Sequence, residues 1–243
     1  LLTYALNGNA DFMGDDIHYA SNHDFVGIEF SIHGMLDGRV RVGMPGKFNA
    51  DNALAALAVC TLALSGGSGV LDDHTKQAIL GSLVKVRVDG RMEIAHVSKK
   101  CSVIVDYAHN AVSMESLLTT LRDYHPKRLV CVFGCGGNRA RDRRYSMGEI
   151  GGKMADLCII TADNPRFEKN EDIIKDIEVG LAKTDGTYLV IPDRREAIFY
   201  AIRNAEEGDM IAIIGKGHED YQEIEGVKHH FLDREVVEEA VKG

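Results

Sequence analysis

The sequence predicts an α/β fold built on a doubly wound, mostly parallel sheet. Short apolar runs, of the kind that form strands covered on both faces, alternate with helical patterns through the second half of the chain. This alternation is typical of β-α units joined by right-handed crossovers. The strand-like runs lie at 103–105, 129–133, 157–160, 188–191 and 210–214. The helical patterns lie near 112–122, 145–155, 171–182 and 194–204.

The first part of the chain has a different pattern. Residues 1–45 predict β structure. Apolar residues alternate with polar or small ones over 26–32 and 40–44, and Asp37-Gly38 supplies a hairpin turn between them. Residues 49–64 predict a helix that is apolar almost all round and therefore buried. A second helix follows, and the change of pattern predicts a domain boundary near residue 92.

Composition excludes several classes of function. The 243 residues allow one large or two ordinary domains, and the formal charge of −9 disfavours nucleic-acid binding. No run approaches 18 apolar residues, so we expect no membrane insertion. The odd number of cysteines, five, suggests reduced thiols in a cytoplasmic protein. No second Cys or His pair follows Cys131 and Cys135 at zinc spacing, so we predict no metal site.

Polar residues follow the strand predicted at 157–160. Asp163, Asn164 and Arg166 come directly after it, and Pro165 ends any regular structure there. Open α/β sheets bind ligands at the carboxyl ends of their strands, and an Arg placed there can bind a carboxylate or phosphate through two hydrogen bonds. The alternative is that Asp163 caps the next helix and Arg166 is a solvated loop residue.

Three other strand ends carry polar loops of the same kind. They lie at 106–109, 134–139 and 215–220, and together with the first they predict one cleft at one edge of the sheet. The glycine loop at 134–139 lacks the third glycine of a dinucleotide fingerprint. The chain also contains no Gly-x-x-x-x-Gly-Lys-Ser/Thr, so a complete ATP phosphate site is missing from this sequence.

Six motifs in order along nearly the whole chain resemble the C-terminal part of a Mur ligase. They are FNADNALAAL (48–57), GRME (90–93), VDYAHN (105–110), VFGCGGNR (132–139), TADNPR (161–166) and GKGHEDYQ (215–222). Within that family the resemblance is greatest to the branch that adds the third amino acid to UDP-N-acetylmuramoyl-L-alanyl-D-glutamate in peptidoglycan synthesis.

The resemblance implies that 1–92 is the end of the family's central ATP-binding domain and 93–243 its whole Rossmann-like third domain. The first domain and the phosphate loop of the family have no counterpart here, so we expect a piece of a longer protein that is inactive alone. The complete protein is then expected to be an ATP-dependent, ADP-forming amide ligase. It would use Mg²⁺, bound mainly by the missing part, and act as a cytoplasmic monomer.

The resemblance also assigns residues to the two substrates. On the ATP side it implies Asn49, Asn52, Arg91, Asp106 and His109, the last weakened because Asn110-Ala111 departs from the usual motif. For Asn52 the alternative is a buried polar group within a helix. On the amino-acid side it implies the residues that would bind meso-diaminopimelate: Arg139, Asp163, Asn164, Pro165, Arg166, Gly215 and Glu219.

The choice of diaminopimelate rests on charge. Diaminopimelate has a second carboxylate that lysine lacks, and burying it requires a cationic partner, for which Arg166 is expected. Some lysine-adding members of the family keep a similar Arg, so a lysine-adding ligase remains an alternative. A non-catalytic binding module of the same family is a second alternative, and a dinucleotide-dependent oxidoreductase a poorer third.

Overall fold

The computed structural model describes residues 2–243, which form two compact units. The first unit extends to Arg87 and the second is Val88–Gly243. This division lies a few residues before the boundary predicted near residue 92. The physical reason is that the Met92 amide already donates a hydrogen bond of 2.7 Å to the Asp106 carboxylate, within the sheet of the second unit.

The first unit is a four-stranded sheet with helices. Its strand order is β1-β2-β3-β4, with β2, β3 and β4 antiparallel and β1 parallel to β2. The strands are β1 Tyr4–Leu6, β2 Phe12–Asn22, β3 Phe25–Gly34 and β4 Gly38–Val42. The helices are α1 Phe48–Leu64 and α2 Asp73–Ser82, followed by a 3₁₀ turn at Leu83–Lys85. The predicted hairpin is confirmed as β3 and β4.

Helix α1 is buried on one face rather than all round. Leu54 and Leu57 pack into the core of the first unit together with Phe30 of β3. Val59 is 67% exposed and Leu64 62% exposed. The prediction of a helix buried on every side is therefore wrong for the described chain, because the sheet of this unit covers only one face of α1.

The second unit contains a six-stranded sheet of order β5-β6-β10-β7-β8-β9. All neighbouring strands are parallel except the edge strand β5, which is antiparallel to β6. The strands are β5 Glu93–Val97, β6 Cys101–Asp106, β7 Arg128–Phe133, β8 Leu157–Ile160, β9 Tyr188–Val190 and β10 Asp209–Ile214. The predicted doubly wound, mostly parallel sheet is confirmed.

Helices cover both faces of this sheet. They are α3 Ala111–Arg122, α4 Arg141–Met154, α5 Asn170–Leu181, α6 Arg194–Arg203 and α7 Asp233–Lys242. Helices α6 and α7 pack on the face that carries Val132 and Ile159. On the other face, Gly151 of α4 lies against Cys158 and Phe133, and α3 and α5 flank α4. None of the described helices has both the length and the apolar content needed to cross a bilayer.

Some elements do not follow from the sequence patterns. Strand β5, helix α7 and an antiparallel hairpin were not predicted; the hairpin consists of β11 Tyr221–Ile224 and β12 Val227–His230. Its turn is Glu225-Gly226, and both residues have positive φ, as a type I′ turn requires. Helix α4 begins at Arg141, four residues before the predicted start. Its first turn is polar and therefore shows no apolar periodicity from which a helix could be predicted.

A buried ion pair joins α6 to α7. The Arg194 and Asp233 side chains have no exposed surface, and Nε and Nη2 donate to the two carboxylate oxygens at 2.7 and 2.8 Å. The same guanidinium donates to the carbonyl oxygens of Ala162 at 3.2 Å and Ile214 at 3.0 Å. Because these carbonyls lie at or just beyond the ends of β8 and β10, the pair ties both helices to the carboxyl edge of the sheet.

Replacing Asp233 by Ala is expected to lower the free energy of unfolding by about 3–5 kcal/mol, because Arg194 would be left charged and buried without a partner. Urea denaturation followed by circular dichroism measures this change. The matched control is Glu239→Ala, which removes the partner of Arg195 from an exposed ion pair and should have little effect. Equal losses in the two variants would contradict the stabilising role of the buried pair.

Candidate functional site

A polar cleft lies at the carboxyl edge of the parallel sheet, where β10 is inserted between β6 and β7. The loops that follow β6, β7, β8 and β10 all reach it, as the four polar strand ends predict. Its volume is about 370 Å³, and every lining residue belongs to the second unit. The lining consists of Tyr107, His109, Gly134, Cys135, Gly136, Arg139, Arg143, Asp163, Asn164, Arg166, Gly215 and Glu219.

Most of the residues predicted to bind the amino acid meet in this cleft. Those that line it are Arg139, Asp163, Asn164, Arg166, Gly215 and Glu219. Pro165 lies behind them and lines a neighbouring cavity instead. A Cβ atom on Gly137 would collide with the Pro165 carbonyl, so the two loops can approach this closely because residue 137 is glycine. The individual binding roles of these residues remain predictions.

Asp163 is a buried carboxylate at one wall of the cleft. Its Oδ1 accepts a hydrogen bond of 2.7 Å from the backbone amide of Asn164. Gly215 has a φ of +111°, and a Cβ atom there would come within 2.5 Å of Asp163 Oδ2, so only glycine fits. Burial raises the pKa of Asp163, although the charges of Arg194 and Lys216 oppose that rise.

Lys216 is a buried residue that holds two of the cleft residues, Asn164 and Glu219, through hydrogen bonds. Its side chain is fully buried, and Nζ donates to Asn164 Oδ1 and Glu219 Oε2, both at 3.4 Å, and to the Tyr221 carbonyl. Asn164 Nδ2 in turn donates to Glu219 Oε2 at 2.8 Å. Burial lowers the pKa of Lys216, as does the charge of Arg194, while nearby carboxylates oppose this. The network therefore fixes both the Asn164 amide and the Glu219 carboxylate.

Arg166 is held by contacts on several sides. Its backbone has a φ of +53°, which is uncommon for a residue other than glycine. Nε donates to Glu223 Oε2 at 3.2 Å, and Nη1 donates to the Gly137 carbonyl at 2.8 Å. Within residues 2–243, Nη2 makes no hydrogen bond. The guanidinium is thus anchored while part of its donor surface remains available to a ligand carboxylate.

Two further arginines add positive charge to the lining of the cleft. Arg139 is exposed and Arg143 is partly buried, and neither forms an ion pair with any described residue. With Arg166 they contribute three guanidinium groups to a lining that also contains the carboxylates of Asp163 and Glu219. The cleft therefore offers cationic partners for carboxylates and anionic partners for an ammonium group in one ligand.

Three of the five residues predicted on the ATP side lie around Tyr107. The Arg91 guanidinium lies 4.7 Å from the centroid of the Tyr107 ring, and His109 Nδ1 is 2.9 Å from the Tyr107 carbonyl. The Asp106 carboxylate accepts hydrogen bonds of 2.7 Å from the amides of Met92 and Ala108, and burial raises its pKa. Each oxygen accepts one of these bonds and has the capacity to accept another. The nucleotide roles of these residues remain predictions.

The two asparagines predicted on the ATP side belong to the first unit. Asn49 is buried in the first turn of α1, where Nδ2 donates to the Pro45 carbonyl at 2.7 Å. Its Oδ1 accepts a hydrogen bond of 3.1 Å from Asn52. Asn52 is exposed, so the alternative that it is a buried polar group is wrong, and the buried amide of this helix is Asn49.

The sequence analysis assigned no individual role to several residues that shape the site. Tyr107 and Arg143 line the cleft, Lys216 lies beneath it, and Glu223 binds Arg166. The available signal for Glu223 was the Glu225-Gly226 pair, because glycine is common in tight turns. Lys216 follows a strand end directly, but its burial depends on contacts with distant segments.

The pKa of Asp163 predicts a pH dependence of stability. Because the folded protein binds this proton more tightly than the unfolded chain does, the contribution of Asp163 is fully present below about pH 4 and is lost as pH rises through the raised pKa. Asp163→Asn removes this titration. Urea denaturation over a pH series should show the variant gaining stability relative to the wild type as pH rises through that range. A pH-independent difference would contradict the raised pKa.

Comparison with known proteins identifies relatives of the chain. A family model described as "Mur ligase, glutamate ligase domain" matches residues 90–217. UDP-N-acetylmuramoyl-L-alanyl-D-glutamate–2,6-diaminopimelate ligase of Clostridioides difficile is 41% identical over 98% of this chain. The corresponding Aquifex aeolicus ligase is 42% identical, also over 98%. The chain spans 47% and 45% of these relatives, so it matches about half of their length.

Solved structures agree with these relationships. A structure of UDP-N-acetylmuramoyl-L-alanyl-D-glutamate–2,6-diaminopimelate ligase superposes with a TM-score of 0.76 at 35% identity, over 99% of this chain and 47% of that one. UDP-N-acetylmuramate-alanine ligase of Thermotoga maritima gives a TM-score of 0.61 at 16% identity, over 99% of this chain and 47% of that one, and shares the fold. Because the family model matches more than half of the residues, the chain belongs to the Mur ligase family.

Proposed function

We propose that this chain is part of an ATP-dependent, ADP-forming ligase that adds meso-diaminopimelate to UDP-N-acetylmuramoyl-L-alanyl-D-glutamate. The observation that carries the proposal is a cleft lined by three arginines together with Asp163 and Glu219. Diaminopimelate has two carboxylates and two amino groups, so it needs cationic partners and anionic partners in one site. The relatives that the chain matches over nearly its whole length are named as ligases of UDP-N-acetylmuramoyl-L-alanyl-D-glutamate and 2,6-diaminopimelate.

The proposed reaction joins an acid to an amine at the expense of ATP. The γ-phosphoryl group of ATP passes to the D-glutamyl carboxylate to give an acyl phosphate and ADP. The uncharged amino group of diaminopimelate then attacks the acyl carbon, the tetrahedral intermediate collapses, and phosphate leaves with the amide formed. The second unit contributes by holding the amine against that carbon, because a correctly oriented pair of reactants avoids much of the entropic cost of the encounter.

Within this scheme we assign the cleft residues by charge. Arg139 and Arg166 bind carboxylates of diaminopimelate, while Glu219 and the Gly215 carbonyl bind the distal ammonium group. Asn164 donates to Glu219 and accepts from the amide of Glu223, whose carboxylate in turn binds Arg166. Arg91, Asp106, His109 and the exposed Asn52 are assigned to the ATP side, together with Asn49.

Mg²⁺ would stabilise charge on the phosphoryl group that is transferred. Residues 2–243 bring together no group of three or more His, Cys, Asp or Glu side chains that could hold a metal ion. We therefore assign no step to Mg²⁺ in this chain and propose that the rest of the protein binds it. The proposal also implies a cytoplasmic protein of peptidoglycan synthesis. A monomer suffices for the amino-acid cleft, since one chain builds it.

The direct test is phosphate release by the complete gene product with ATP, Mg²⁺ and the UDP-linked dipeptide. Parallel reactions contain meso-diaminopimelate, L-lysine or no amino acid. Release that depends on diaminopimelate is expected. Release that depends on lysine would keep the chemistry but overturn the assigned substrate. An absence of release with either amine would favour a non-catalytic member of the family.

Arg166→Ala is expected to raise the KM for diaminopimelate about 100-fold, because truncating one partner of a desolvated charge pair costs several kcal/mol. The same phosphate-release assay measures it across a range of diaminopimelate concentrations. The matched control is Arg195→Ala, which removes an exposed guanidinium paired with Glu239 outside the cleft. An unchanged KM in Arg166→Ala would remove Arg166 from the carboxylate site.

A further inference from the structure

Glu223, in strand β11, contacts the loop 163–166 that follows β8 through both its backbone and its side chain. Its amide donates to Asn164 Oδ1 at 2.9 Å, and its carbonyl accepts from the Arg166 amide at 2.9 Å. Its carboxylate accepts from Arg166 Nε at 3.2 Å. One residue of the hairpin therefore touches two of the residues assigned to the amino-acid substrate.

The conformation of Arg166 depends on these contacts. A φ of +53° is unfavourable for an arginine in isolation, so the surrounding structure must stabilise it. The Glu225 amide donates to the Arg166 carbonyl at 2.7 Å, which completes a short stretch of pairing with the hairpin. Backbone pairing fixes the main chain of Arg166, and the Glu223 carboxylate together with the Gly137 carbonyl fixes its guanidinium.

The Glu223 carboxylate also decides which part of the guanidinium is available. It occupies Nε, while Gly137 accepts from Nη1, so Nη2 is the nitrogen left without a partner among the described residues. Both side chains of the ion pair are about one-fifth exposed, at 21% and 22%. The pair is thus more protected than a surface salt bridge and can hold a long, flexible side chain in one rotamer.

We propose that Glu223 is a positioning residue that sets specificity for an amine substrate with a second carboxylate. It acts through Arg166, by presenting the guanidinium to the cleft in one orientation before the substrate arrives. A preorganised guanidinium loses less rotational freedom when it binds a carboxylate, which raises affinity without a new contact. The inference rests on the proposed function and names the residue that prepares its carboxylate-binding group.

The test is a double-mutant cycle on the complete protein, with phosphate release measured against diaminopimelate concentration. Glu223→Ala should raise the KM for diaminopimelate about tenfold, with a much smaller change in kcat. Interaction energies between residues in contact commonly correspond to an effect of about this size. Glu223→Gln keeps an oxygen that accepts from Arg166 Nε and should recover most of the lost affinity. In an Arg166→Ala background, Glu223→Ala should raise the KM little further, because the guanidinium that Glu223 positions is already absent.

The control variant is Glu239→Ala, which removes a carboxylate from an exposed arginine pair outside the cleft and should leave the KM unchanged. If Glu223→Ala does not fold, Glu223→Asp shortens the side chain but keeps its charge, and should raise the KM to a lesser degree. An unchanged or lower KM in the Glu223 variant, or an equal effect in the Arg166→Ala background, would overturn the positioning role alone. An absence of diaminopimelate-dependent release from the wild type would overturn the proposed function and this inference with it.

Discussion

Buried charge at the carboxyl edge of the sheet is the constraint on which the site depends. Arg194, Asp233, Asp163 and Lys216 are all buried there, and an ionised group removed from water is costly unless it is paired and hydrogen-bonded. Their partners come from different elements: the strand ends of β8 and β10, the first turns of α6 and α7, and the β11–β12 hairpin. Satisfying these charges therefore joins the loops that form the cleft.

The cleft divides its charged groups into two kinds. Buried groups form hydrogen bonds with neighbouring residues; Lys216, for example, donates to Asn164 and Glu219 and so holds both in place. Groups nearer the surface, such as Arg139 and Arg143, have no ion-pair partner among the described residues and can meet a ligand. Arg166 belongs to both kinds, because it is anchored by Glu223 and Gly137 yet still lines the cleft. This division lets a rigid framework present charge to the small zwitterionic ligand that we propose for the cleft.

Much of the site was visible in the sequence because strand ends in a parallel sheet share one edge. The apolar run at 157–160 and the polar residues after it were sufficient to place Asp163, Asn164 and Arg166 at that edge, and Glu219 followed from the loop after β10. The partners of these residues were not predictable in the same way. Glu223 binds Arg166 across more than fifty residues of sequence, and nothing local to either residue indicates the contact.

The sequence by itself determined the class of fold, the positions of the main strands along the chain, the polar loops and the resemblance to Mur ligases. These properties depend on local apolar periodicity and on short motifs, which a single chain displays directly. Only the tertiary structure decided that α1 is exposed on one face, that Lys216 is buried beneath the cleft and that a hairpin anchors Arg166. The physical reason is that burial, pairing and side-chain orientation arise from contacts between segments far apart in the chain, which no local pattern encodes.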